Sequence, residues 1–241
     1  ATGKTGVVFA TSGPGATNLV TGIANAYLDS VPLVAITGNV STDLLGRDSF
    51  QEVDITGITM PITKHNYLVK DVSVLADTLR EAFHLAQSGR PGPVLVDIPK
   101  DVQIGSAEYE PPSNNVSSKK APQVNEDMLN QAALLISKAK RPYIYCGGGV
   151  VGAHASEELM RLADKVDAPI GLSIMGLSTV PYSHPRFLGM VGMHGRYGAT
   201  KALYECDLLI AVGVRFSDRA TGNKSEFTKD RKVIQIDIDP A

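Results

Sequence analysis

Val7-Val8-Phe9-Ala10-Thr11-Ser12-Gly13-Pro14-Gly15-Ala16-Thr17-Asn18 is the stretch on which the fold turns. Four apolar residues run into Ser12-Gly13-Pro14-Gly15, and an Ala-rich segment with helical spacing continues from Ala16 to Tyr27. The order is strand, tight turn, helix. Reading outward, Leu33–Ile36 is a second apolar run, followed by a polar, Gly-containing segment over 38–49. Val72 to Ala86 is amphipathic at helical spacing, with Val72, Leu75, Leu79, Ala82, Phe83 and Ala86 on one face. Gly89-Arg90-Pro91-Gly92-Pro93 stops that helix, and Val94–Ile98 is another apolar run. Runs that are apolar throughout suit parallel strands covered on both faces. Their alternation with helices predicts a layered α/β domain.

The character changes between residues 102 and 124. Glu108 to Lys120 is polar and lacks periodicity, so it reads as a linker. A second α/β domain follows. Helices are expected at Met128–Ala139, Glu157–Val166 and near Ala199–Tyr204. Strands are expected at Tyr143–Cys146, Ile170–Ser173, Leu208–Val212 and Val233–Ile238, with a long irregular stretch after Ser173. The fold class is therefore α/β, two parallel-sheet three-layer domains in sequence. The expected boundaries are 1–101, a linker at 102–124, and 125–241. The chain opens on Ala1 without a methionine and stops just after a strand, so both domains read as incomplete pieces of a longer protein.

Composition narrows the function classes. Hydrophobic residues are 43% of the chain and charged residues 20%, enough apolar material for a core and ordinary for a water-soluble protein. A net charge of −2 advertises neither nucleic acid nor an anionic membrane. The longest apolar runs are too short to span a bilayer, and no signal peptide is visible, so a cytoplasmic protein fits. Cys146 and Cys206 sit in apolar surroundings and read as buried free thiols. His65 and His194 have no second histidine at ligand spacing, so no transition-metal site is expected.

Several turns are candidates for chemistry. Gly147, Gly149 and Gly152 satisfy G-x-G-x-x-G after a strand and before a helix, where backbone amides and a helix N-terminus approach a pyrophosphate. A plain tight turn reads the same way. Ile170–Ser173 ends without the acid that holds a ribose in NAD sites, which disfavours NAD. Gly192-Met193-His194-Gly195 and Gly213-Val214-Arg215-Phe216-Ser217-Asp218-Arg219 are candidates to line the same edge, with Arg215 and Arg219 suited to phosphate. Solvated loops explain them equally. Asp237 and Asp239 flank Ile238 at the end of the last strand, where an acid suits a ribose hydroxyl; a capped strand end reads the same way. The Ser12–Gly15 turn either cradles an anion or simply packs tightly. It lacks the Lys-Ser/Thr of a P-loop and the spacing of a nucleophile elbow. Phe50-Gln51-Glu52 lies in a loop, where Gln51 can both donate and accept; by composition alone it reads as an ordinary polar loop.

Taken together, these segments resemble one family. Thr11 to Asn18 is the turn typical of the pyrimidine-binding domain of thiamine-diphosphate enzymes. Gly46-Arg47-Asp48-Ser49-Phe50-Gln51-Glu52, Pro61 to Asn66, and Gly89 to Val102 are similar to the large catalytic subunits of acetolactate synthases. Met193-His194-Gly195 and Arg215 to Arg219 look like the FAD-binding segments of that family. The resemblance extends along essentially the whole chain. It departs at Gly38-Asn39-Val40-Ser41, where the family commonly has Gly-Gln-Val-Pro, a change that bears on channel shape and inhibitor sensitivity.

The resemblance implies a reaction and a set of roles. Pyruvate is decarboxylated with thiamine diphosphate and condensed with a second pyruvate or 2-ketobutyrate, as in branched-chain amino acid biosynthesis. Gln51 and Phe50 are expected near the reaction centre, contributed across a subunit interface of a homodimer or higher oligomer. Pro14 and Asn18 are expected beside the aminopyrimidine ring, and Lys100 along the substrate channel. Arg90, Gly147, Gly148, Gly149, Met193, His194, Gly195, Val214, Arg215, Arg219, Asp237 and Ile238 are expected around a structural FAD. The Mg2+ ligands and the glutamate that contacts the aminopyrimidine would lie outside this chain. A regulatory small subunit is a possible partner. The isolated piece is expected to be inactive and to self-associate through exposed apolar surface. The nearest alternatives are pyruvate oxidase, glyoxylate carboligase and sulfoacetaldehyde acetyltransferase. A non-catalytic dinucleotide-binding module is an alternative of a different class.

Overall fold

The structure is a computed structural model that describes residues 2–111, 124–227 and 229–239, without the side chains of Lys224 and Ser225. The chain divides into two compact units, residues 1–117 and 118–241. Of the expected linker, 112–123 lie outside the described residues.

The first unit contains β1 (Gly6–Ala10), α1 (Pro14–Thr17), α2 (Val20–Leu28), β2 (Leu33–Asn39), α3 (Ile55–Thr59), β3 (His65–Leu68), α4 (Leu75–Gln87), β4 (Pro93–Pro99) and α5 (Lys100–Ile104). Its four strands are all parallel, in the order β1-β2-β4-β3. Alternate residues of the central strands feed opposite layers, as the two-residue period of a strand requires. Val34, Val94 and Val96 pack with Ala82 and Ala86 of α4. Ala35 and Leu95 pack with Ala16, Ile23 and Ile55 on the other side. Every residue of β4 is buried, so the expectation of strands covered on both faces holds there. It fails at β1, an edge strand on which Phe9 is 72% exposed.

The second unit contains α6 (Glu126–Lys138), β5 (Pro142–Cys146), α7 (Gly148–Gly152), α8 (Ser156–Val166), β6 (Ile170–Leu172), β7 (Phe187–Met190), α9 (Tyr197–Glu205), β8 (Leu208–Val212), α10 (Asp218–Thr221), α11 (Lys224–Phe227) and β9 (Lys232–Ile236). Five parallel strands run in the order β7-β6-β5-β8-β9. Ile144, Cys146 and Ile210 pack with Val150, Leu159 and Ala163 on one face. Tyr143, Tyr145, Leu209 and Ala211 pack with Ala199, Leu203 and Phe227 on the other. Each unit is thus a parallel sheet between two helical layers. Among the described residues no helix is long and apolar enough to cross a membrane. Cys146 and Cys206 are both buried and free.

Several local readings are corrected. The helix expected over Ala16–Tyr27 is two helices broken at Asn18-Leu19. Gly38 and Asn39 belong to β2 and not to the polar loop, because they pair with Ile98 and Pro99 of β4. The helix at Val72 opens as a single 3-10 turn, Val72–Val74, whose start is fixed by Asp71 accepting from the Ser73 amide at 2.8 Å. The stretch after Ser173 is not wholly irregular, because it contains β7.

Candidate functional site

In a parallel sheet, the loops leaving the carboxyl ends of the strands converge on one edge, and ligands bind there. In the first unit that edge is an open cleft lined by Phe9, Ser12, Thr37, Asn39, Lys100 and Gln103, among others. Lys100 reaches it because β4 ends at Pro99 and α5 begins at the next residue. Its side chain is exposed.

Beneath the cleft lies a buried carboxylate. Asp97 of β4 is 1% exposed and pairs in register with Thr37 of β2. Thr37 Oγ1 donates to one of its oxygens at 2.7 Å, and Asn39 Nδ2 donates to the other at 2.5 Å. Burial pushes the Asp97 carboxyl above its ordinary range, and these two bonds pull it only part of the way back. Asp101 behaves oppositely. Its carboxylate accepts from the Thr42 hydroxyl at 2.5 Å and the Thr42 amide at 3.0 Å, and its pKa is lowered, chiefly by the hydroxyl. Asp97 thus ties the carboxyl end of β2 to β4, and Asp101 holds the segment that follows β2. The sequence did carry a signal for Asp97, a lone charge inside the apolar run Pro93–Pro99, which a buried strand tolerates only when the charge is paired.

The turn after β1 and the loop over 46–52 meet. Gly13 has φ +59, and a Cβ there would lie 2.7 Å from the Gln51 carbonyl oxygen and 2.9 Å from Gln51 Cβ. Pro14 is the first residue of α1, and Asn18 caps its C-terminus. Pro14, Asn18 and Gln51 are exposed, and Phe50 is 88% exposed. The structure therefore brings Gln51 against the Ser12–Gly15 turn and leaves its side chain open. Arg90 is elsewhere in this unit. It precedes β4, at the opposite end of that strand from Lys100, and its Nε donates to Ser30 Oγ at 2.8 Å.

In the second unit the sheet winds outward both ways from β5 and β8, so the switch point falls between those two strands. The Gly147 turn leaves β5 and the Gly213 loop leaves β8, and they interlock. A Cβ on Gly147 would lie 2.5 Å from the Gly213 carbonyl oxygen, and one on Gly149 would lie 2.6 Å from Gly213 Cα. The amides of Gly147 and Gly149 donate to the carbonyls of Val212 and Gly213 at 3.1 and 2.9 Å. Those two amides are therefore engaged within the fold, as a tight strand-to-helix turn requires. Gly148 packs against Met175 instead.

The neighbouring loops converge on the same edge. The Met193 amide donates to the Arg219 carbonyl at 2.9 Å, and a Cβ on Gly192 would lie 2.6 Å from that oxygen. Gly195 is closed in by the Met190 and Val191 backbone. Val214 is buried, while Met193, His194, Arg215 and Arg219 are exposed. Asp237 and Ile238 follow β9 and are exposed, and the Asp237 carboxylate accepts from the Asp239 amide at 3.0 Å. The edge thus carries the Arg215 and Arg219 guanidinium groups, the Asp237 carboxylate, the Asp218 carboxylate 3.9 Å from Arg219, and exposed apolar side chains around a glycine-lined backbone. That chemistry suits an anionic ligand with a flat apolar part. Among the described residues no group of three or more His, Cys, Asp or Glu is placed to hold a metal.

Two family descriptions match the chain. Residues 1–58 match the thiamine pyrophosphate enzyme N-terminal TPP binding domain, and residues 129–241 match the thiamine pyrophosphate enzyme central domain. Over its whole length the chain is 51% identical to a probable acetolactate synthase large subunit of Methanocaldococcus jannaschii and 53% identical to the acetolactate synthase large subunit of Corynebacterium glutamicum, spanning 42% and 39% of those proteins. It is 49% identical, over 99% of its length, to the isozyme 1 large subunit of Escherichia coli acetolactate synthase and spans 42% of it. The chain therefore spans about two fifths of the curated relatives it matches. With two parallel α/β units in the same order as the two matched domains, this chain belongs to the thiamine pyrophosphate enzymes.

Proposed function

We propose that the chain is part of an acetolactate synthase large subunit, a cytoplasmic carboligase that decarboxylates pyruvate and joins the two-carbon remainder to a second pyruvate or to 2-ketobutyrate. The observation that carries this reading is the junction of Gly13 with Gln51 beside an open cleft. It puts an amide side chain, a lysine and the Pro14–Asn18 turn on one sheet edge. Identity of 49–53% with acetolactate synthase large subunits supports the choice within the family.

Thiamine diphosphate, when bound, supplies the electron sink that decarboxylation of a 2-ketoacid needs. This chain's own residues bind and orient. Pro14 and Asn18 abut the aminopyrimidine ring. Lys100 draws the substrate carboxylate into the cleft. Gln51 and Phe50 complete the reaction centre of a neighbouring subunit in a homodimer or higher oligomer. The Gln51 amide both donates and accepts there, and Phe50 excludes water. In the second unit, Arg215 and Arg219 bind the phosphates of FAD and Asp237 takes a ribose hydroxyl. Gly147, Gly148, Gly149, Met193, His194, Gly195, Val214 and Ile238 line that site. This FAD is structural. Mg2+ is held by residues beyond this chain. A regulatory small subunit is a partner, in keeping with the large-subunit names of the relatives. The first unit serves as pyrimidine-binding domain, which α5 carries past the expected boundary at 101 to Ile104 because Val102 packs in its core; the expected linker then runs to 124 and the central domain is 125–241.

The test is to incubate the complete polypeptide containing this chain with pyruvate, thiamine diphosphate, Mg2+ and FAD. Acetolactate should form without oxygen uptake, and Gln51→Ala should lower kcat by at least about tenfold. Hydrogen peroxide in place of acetolactate would replace this reading with an oxidase. The isolated 241-residue chain should show no turnover.

A further inference from the structure

Resting on that reading, we propose that Glu52 is a positioning residue, whose carboxylate clips the loop over 46–52 into the one conformation that presents Phe50 and Gln51 at its tip. The loop does not hold this shape by backbone preference. Gly46, Asp48 and Gln51 have φ of 76, 54 and 58, and two of the three carry side chains that disfavour left-handed backbone. Such a path persists only where its surroundings fix it. One side chain does so from end to end. One oxygen of the Glu52 carboxylate accepts from the Gly46 amide at the start of the loop. The other accepts from the Ser49 amide in its middle at 3.0 Å. Ser49 Oγ donates to the Leu44 carbonyl at 3.1 Å, and the Glu52 amide donates to the Ser49 carbonyl at 2.9 Å, so the clip is braced on both sides.

The residues between these anchors are those left outside. Phe50 is 88% exposed, and Gln51 rests its backbone on Gly13 with its side chain open. Both carboxylate oxygens of Glu52 face loop amides and neither faces the cleft, so Glu52 acts through Gln51 and not on substrate. Two oxygens serving two amides also specify the side chain. Glutamine offers one carbonyl oxygen and turns an NH2 toward the second amide, whereas alanine offers nothing.

The experiment has two arms. In the 241-residue chain, amide hydrogen exchange is measured for wild type, Glu52→Gln and Glu52→Ala. Gly46 and Ser49 should exchange at least about tenfold faster in Glu52→Ala and by an intermediate factor in Glu52→Gln, with the amides of β2 and β4 unchanged. Unchanged exchange at Gly46 and Ser49 overturns the clip. Should Glu52→Ala not fold, the Glu52→Gln exchange decides alone. In the complete enzyme, Glu52→Ala should lower kcat with little change in KM, and Glu52→Gln should recover part of the loss. Added to Gln51→Ala, the Glu52→Ala change should cost almost nothing further, because what it positioned is already gone. Full additivity of the two losses overturns the positioning role. A wild-type enzyme that makes no acetolactate refutes the reaction and the positioning role with it, while the exchange arm still decides whether the clip exists.

Discussion

Gly13 and Gln51 occupy space that only one Cβ can fill. A methyl group at Gly13 would sit 2.7 Å from the Gln51 carbonyl oxygen and on a backbone with φ +59. Left-handed backbone alone costs an L side chain about 1–2 kcal/mol. Gly13→Ala should therefore destabilise the first unit by at least that amount and drive Gln51 off the turn. Gly22 is the internal control. It lies inside α2 with nothing within 4 Å of an added Cβ. Gly22→Ala should stabilise by about 0.5–1 kcal/mol through helix propensity. Urea unfolding of both variants checks the pair, and equal effects would show that the Gly13 contact is not tight. The cysteines give a second prediction at this scale. Burial pushes the Cys146 thiol up to about 12 and raises Cys206 as well, so neither forms the reactive thiolate near neutrality. An aromatic disulfide reagent at pH 8 should label both only when urea unfolds the chain. Rapid labelling of the native protein would contradict their placement. This feature was readable from sequence, since both thiols sit in apolar segments.

Elements differ in how plainly the sequence announced them. Leu208–Val212 is a strand over the very residues expected, because an apolar run between a helix and Gly213 leaves no other reading. β3 went unread because His65-Asn66-Tyr67-Leu68 is half polar and exposed at both ends. It is strand because β4 beside it supplies the ladder. β7 is short and holds Gly189 at φ +97, so it carries no periodic signal. α7 is one glycine-rich turn, Gly148–Gly152, that propensity alone would not make helical. The glycines of that turn suit a ligand or a tight turn equally, and Gly147 and Gly149 are required by the Gly213 backbone crossing beside them. Only coordinates distinguish those two reasons, because both call for a missing Cβ. The lock between the two turns makes a prediction about elements. Gly149→Ala should force the loops after β5 and β8 apart and cost about 1–3 kcal/mol, the usual range for overpacking. Gly152→Ala, one turn away with nothing within 4 Å, should cost far less. Thermal unfolding of the two variants checks the difference.

The two units should respond differently to acid, because the hydrogen-bonded carboxylates are unevenly shared. Glu52, Asp54, Asp71 and Asp101 of the first unit have carboxyls held below their ordinary values by hydrogen bonds. In the second unit Asp207 is lowered, by the Lys140 and Arg141 amides it caps against the opposing effect of burial. A group whose folded pKa is depressed stabilises the fold above its unfolded pKa and loses that contribution as pH falls through the folded value. With ordinary values of 4.5 for Glu52 and 3.8 for the aspartates, the loss begins below about pH 4.5. Asp97 runs the other way. Its raised pKa means the fold binds its proton more tightly than the unfolded chain does, so its contribution declines as pH rises from about 3.8 to the folded value. Four lowered groups outnumber one raised group, so the first unit should lose more stability than the second between pH 5 and pH 3. Peptide-resolved hydrogen exchange across that range reads each unit separately. Asp97→Asn removes the opposing titration and should steepen the acid loss of the first unit, while the second unit keeps its profile. Equal acid responses of the two units would mean that their carboxylates are not held as this structure places them.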